Sequence, residues 1–169
     1  MIFTDFILNA VVGIIQLVIA IVFAVAALYI AFWVLGKITR GIDEEKELAQ
    51  GNAAVGILVA SVFIAIAVVV QSGVTGLSVG INKAISLGFN SDGILAVVVA
   101  IFQLLVGIVL AIAAIYLALN ILDRLTSGVN EFEELKKGNV AVALEMAGVI
   151  IAVAVIIQSG VIGITAAIV

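Results

Sequence analysis

The sequence predicts an all-α fold: an integral membrane four-helix bundle built from two tandem parallel two-helix repeats. Three observations predict it. First, 66 % of the chain is hydrophobic and 11 % charged, with a mean hydropathy of +1.47, where an ordinary soluble domain is about half apolar and about a quarter charged. Second, the apolar residues fall into four runs, each able to supply the ~20 residues that a membrane span requires. Third, sliding the chain by 87 residues aligns its halves without a gap at roughly 45 % identity.

The first run, from about Phe6 to Leu35, has no basic residue ahead of it and is too long for the apolar region of a signal peptide, so it reads as a retained transmembrane helix. A polar loop, 36–51, holds Lys37, Arg40, Asp43, Glu44, Glu45, Lys46 and Glu47. The second run extends from about Asn52 to Ile81, the third from Ile94 to Leu122 and the fourth from Asn139 to Val169. The expected organisation is therefore a first two-span repeat at 1–82, an extracytoplasmic linker at 83–93 and a second two-span repeat at 94–169. The second charged loop, 123–138, carries Arg124, Lys136 and Lys137 among its acids.

Two spans separate the charged loops, so both lie on one side of the membrane. They hold six of the seven Lys and Arg residues. The positive-inside bias places them in the cytoplasm and both termini outside, in the plasma (inner) membrane of a prokaryote. Most of the charged residues sit in these loops with both signs interspersed, so the formal net charge of -4 indicates no nucleic-acid partner; the partner that the composition implies is the lipid bilayer. The chain has no Cys and no His, which removes thiolate chemistry and imidazole ligands. No nucleophile and base stand in register, so neither an enzyme nor a cofactor or metal site is expected.

The duplication is clearest where a charged segment meets an apolar run. "ELAQGNAAVGILVAS" in the first half returns as "ELKKGNVAVALEMAG" in the second, with Glu47, Leu48, Gly51 and Asn52 matched by Glu134, Leu135, Gly138 and Asn139. Asn is a good helix cap and Gly tolerates positive φ, so each pair is expected to end a short helix and start a long one. Asn130 with Glu133 has the spacing of a capping box, whereas Asp43 can cap but Lys46 cannot complete the box.

These segments resemble the signature of the YjfL-like inner-membrane proteins, a domain-of-unknown-function family whose two-helix unit is usually present twice. The resemblance covers essentially the whole chain; Gly56 stands where the second copy has Ala143. It implies a four-span bacterial or archaeal membrane protein without an assigned activity. Genes of similar proteins often lie beside those for membrane-stress coat proteins or polyamine-related enzymes, which suggests partners of those kinds.

Small residues recur at four-residue spacing: Ala20 and Ala24, Ala27 and Ala31, Gly56 and Ala60, Gly107 and Ala111, Ala143 and Ala147, and Gly148 and Ala152. In lipid such pairs let backbones approach closely. Gln16, Gln71 and their repeat mates Gln103 and Gln158 fall at matching depths, about 14 Å in at 1.5 Å per residue. They form a candidate polar layer, read either as interhelical hydrogen bonding or as the lining of a small channel or transporter for a cation or polyamine. Glu145 is a candidate intramembrane carboxylate at a position where the first repeat has Leu58. It is expected to pair with Lys136, Lys137 or Arg124, or to serve a proton or cation. A lone carboxylate in the fourth span also admits a rotor-ring-like proteolipid, which its nearness to the loop disfavours. The leading reading is a structural or adaptor subunit, a homo-oligomer or part of a membrane complex, whose charged loops dock a cytoplasmic protein.

Overall fold

A computed structural model of the chain describes residues 2–39, 41–88, 90–125, 128 and 130–168. Those residues are helical apart from short turns and form α1 (Ile2–Ile38), α2 (Glu44–Ala49), α3 (Ala53–Leu87), α4 (Ser91–Leu125), α5 (Glu131–Lys136) and α6 (Val140–Ile168). α1, α3, α4 and α6 are long and apolar enough to cross a membrane. The two short helices lie together at one end, called here the charged end. The α3–α4 turn, the start of α1 and the end of α6 lie at the far end.

Packing is organised around α3. Ala54, Val55, Leu58, Val62, Ala65, Ile66, Val69, Gly73, Leu77, Gly80 and Ala84 are buried along its full length, a helical stripe that continues without a break. α4 and α6 both pack extensively on it. Its hydroxyls are satisfied internally, since Ser61 Oγ donates to the Leu58 carbonyl at 2.6 Å and Ser72 Oγ to Val69 at 2.8 Å.

α1 is attached differently. Ala27, Ala31 and Leu35, one turn apart at the charged end, are buried, and Phe32 meets Phe63 of α3 with ring centroids 6.1 Å apart. Toward the far end Val11, Ile14, Leu17, Val18, Ile21 and Val22 are all exposed. Among the small-residue pairs, Ala27/Ala31, Gly107/Ala111 and Ala143/Ala147 are buried contacts, while Gly148 and Ala152 face outward.

The segment expected as a linker is mostly helix. α3 runs on to Leu87 and α4 begins at Ser91, because Gly88 closes α3 and Asn90 accepts from the Asp92 and Gly93 N–H groups at 3.1 and 3.0 Å. A helix start satisfied by its own Asn side chain needs no longer connection.

Candidate functional site

The charged end is built twice from one local device. In the first copy the Asn52 N–H donates to the Glu47 carbonyl and the Gly51 N–H to the Leu48 carbonyl, both at 3.0 Å. In the second copy Asn139 bonds Glu134 at 2.9 Å and Gly138 bonds Leu135 at 3.0 Å. This is the Schellman closure of a helix, which puts the penultimate residue in the left-handed region. Gly51 and Gly138 both have φ of 80°, a conformation that a side chain would strain. The next residue then caps the following helix: Asn52 Oδ1 accepts from Ala54 and Val55, and Asn139 Oδ1 from Ala141 and Val142.

The glutamate five residues earlier completes the device. Glu47 Oε2 accepts from Asn52 Nδ2 at 2.7 Å, and Glu134 Oε2 from Asn139 Nδ2 at 2.8 Å. The shared spacing of Glu, Leu, Gly and Asn is thus one hydrogen-bonded turn, and both expected short helices form with their caps: Asp43 accepts from the Lys46 N–H and Asn130 from the Glu133 N–H.

The two copies differ in how they reach across. Asn52 Nδ2 also donates to the Leu135 carbonyl at 2.9 Å, 83 residues away, and so ties the first turn to the second. Asn139 makes no matching bond to Leu48 among the described residues, and Leu48 is exposed where Leu135 is buried. The contact between the two turns is thus made in one direction only. Between them opens a polar cleft of about 430 Å³ lined by Glu47, Gln50, Gly51, Asn52, Lys136, Lys137 and Gly138.

Around the cleft, Lys136 pairs with Glu133 at 3.2 Å and Lys137 with Glu134 at 2.7 Å. The bonds from Asn139 and then Lys137 hold the Glu134 carboxyl below the usual range, and Glu134 in turn raises Lys137. A carboxyl depressed on folding contributes stability above its unfolded value, lost as pH falls through the folded one. Carboxyl NMR should show Glu134 titrating below an ordinary glutamate, with Asn139→Ala restoring it further than Lys137→Met. An unchanged titration in both variants would contradict the assignment.

The four glutamines differ in exposure within one chain. Gln103 is buried beside the α3–α4 seam, Gln71 is exposed, and Gln16 and Gln158 are half-exposed. Glu145 is exposed on α6, and the lysines proposed as its partners are taken by Glu133 and Glu134; the Arg124 side chain lies outside the described residues. Tyr29 and Tyr116 are exposed.

Sequence reasoning missed the Asn52–Leu135 bridge. It also missed a far-end cleft of about 320 Å³ whose lining includes Lys83, Asp92 and Gln103. The signal for the latter was the absorption of the linker into helices. Among the described residues no three acidic side chains converge as metal ligands.

The model of a family described as Domain of Unknown Function (DUF350) matches this chain twice, over residues 6–108 and 96–169. No curated protein and no solved structure matches it.

Proposed function

We propose that this chain, which belongs to the DUF350 family, is a non-enzymatic subunit of the plasma (inner) membrane of a prokaryote, with its charged end in the cytoplasm and both termini outside. It serves as a structural or adaptor subunit of an oligomeric assembly, and its cytoplasmic partner docks on the paired Gly-Asn turns. The nearer resemblance to the YjfL-like proteins is part of this reading.

The observation that carries the proposal is the Asn52 to Leu135 bond. It makes one surface of two motif copies, around which Asp43, Glu45, Lys46, Glu133 and Lys137 stay exposed. The exposed acids favour a partner that presents basic residues, and the charges project from a rigid base instead of a loose loop. Conduction is the weaker reading, because the glutamines face different ways.

Glu131 is buried and Glu134 holds Asn139, so Glu45 and Glu133 are the residues to exchange. A photo-crosslinking residue at Gln50 in cells should yield a discrete adduct with a cytoplasmic protein. Glu45→Lys with Glu133→Lys should abolish it at unchanged protein level, while Gln→Leu at 16, 71, 103 and 158 should leave it intact. No adduct, together with a cation flux in proteoliposomes that the leucine variant removes, would replace the adaptor with a channel.

A further inference from the structure

We infer that the chain assembles head to tail, the far-end half of α1 from a second copy packing on the α6 face that carries Gly160 and Gly163, as α4 packs on α3 within one chain. The inference rests on the oligomeric part of the proposed function and not on cytoplasmic docking.

The α3–α4 seam is closely fitted. A Cβ at Gly73 would run into Leu104, and one at Gly80 would stand 2.8 Å from the Ala100 Cβ and 2.9 Å from the Ala96 carbonyl oxygen. Only glycine permits that approach. The duplication writes the Gly73–Leu104 part of the seam a second time, while Gly80 returns as Ala167 and Ala96 as Asn9. Gly73 and Gly76 of α3 return as Gly160 and Gly163 of α6; Ala100, Gln103 and Leu104 of α4 correspond to Gly13, Gln16 and Leu17 of α1.

In the second setting, among the described residues, the glycines have nothing packed against them. Gly13, Gly160 and Gly163 have no atom within 4 Å of an added Cβ. Leu104 is 1 % exposed and its mate Leu17 59 %; Ile108 is 6 % exposed and Ile21 53 %; Val69 is 1 % exposed and Ile156 71 %. One chain thus carries an uncovered copy of each half of an interface that it buries elsewhere. The occupant that fits both halves is another copy of itself.

Exposed apolar side chains alone would be content in lipid. Glycines on an outer face and an amide in hydrocarbon are not explained that way: Gln16 makes no hydrogen bond among the described residues, and a polar group without a partner there is costly. Its mate Gln103 is buried at the seam. Small residues supply close van der Waals contact, which is what drives helix association in a bilayer.

The contact is heterologous, since α1 meets α6 and not α1. The Asn52 bridge, made in one direction only, has the same polarity. The joint is confined to the far-end halves: at the charged end Leu58 is fully buried, whereas its mate Glu145 is exposed, and burying a carboxylate without a cation is strongly unfavourable.

The chain has no cysteine, so paired cysteines test this directly. Membranes holding two tagged forms, Leu17→Cys and Gly160→Cys, should give the mixed disulfide about tenfold above either like pair, because a head-to-tail contact brings only unlike faces together. Equal yields in all pairings would overturn the inference. So would a cross-link within a single chain when both cysteines share one copy diluted with cysteine-free copies, because α1 would then close on its own α6. Gly160→Leu, which meets open space within the chain, should keep the folded yield and reduce the particle to single copies; retained oligomers would contradict the joint. The Gln50 adduct read in the same membranes separates the two claims, since its survival without the disulfide removes this joint and leaves docking in place.

Discussion

Gly80→Ala should destabilise the folded chain by about 1–3 kcal/mol, the usual cost of forcing a methyl into a filled contact. The new Cβ would stand 2.9 Å from the Ala96 carbonyl oxygen and 2.8 Å from the Ala100 Cβ. A backbone oxygen cannot swing aside as a side-chain tip can, so α4 must move as a body or the contact must open. Gly148→Ala is the matched comparison, because nothing lies within 4 Å of its added Cβ. There the substitution should be neutral or slightly stabilising, up to about 1 kcal/mol from helix propensity. Equilibrium unfolding of both variants in mixed micelles checks the difference in sign. Equal costs at the two sites would mean that the seam is not closely packed.

Asn52→Ala should cost more than Asn139→Ala although the two occupy the same place in the repeated motif. Each variant loses a helix cap worth about 1 kcal/mol and the bond to its glutamate. Asn52→Ala alone also loses the bond to Leu135, about 1 kcal/mol more, while the Leu135 carbonyl keeps the Gly138 N–H as a partner. The expected totals are about 3 kcal/mol and about 2 kcal/mol. Double-mutant analysis with Glu47→Ala and Glu134→Ala should show similar coupling in the two halves, because the local device is the same. If Asn139→Ala proved the costlier, the polarity of the joint between halves would be reversed.

What could be read in the sequence was whatever depends on composition and spacing. Four long helices and two short ones follow from apolar run length and from Gly-Asn pairs at the ends of charged segments. The caps from Asp43, Asn52 and Asn130 follow from side-chain chemistry at a helix start. The apolar run was read to end at Ile81, and α3 continues through Asn82 and Lys83 to Leu87.

Rotation about each helix axis was not legible. Gln71 and Gln103 match in depth, but in a nearly all-apolar helix no polar face marks which side turns inward, and one ends exposed while the other is buried. The Asn52 bridge was hidden for a related reason: a motif written twice is symmetric in sequence, and only tertiary packing makes one asparagine reach across. Glu145 was expected to pair with Lys136, Lys137 or Arg124, or to serve a proton or cation; the two lysines are held by glutamates three residues before them, and the Arg124 side chain lies outside the described residues.

The most direct test of the account is native mass spectrometry of the assembly released in its own lipid, for the unaltered chain and for Glu45→Lys with Glu133→Lys. The account predicts a particle with more than one copy of the chain and an accompanying cytoplasmic protein, the protein being lost from the charge-exchanged particle while the copy number stays the same. A single chain without companions in both samples would contradict it.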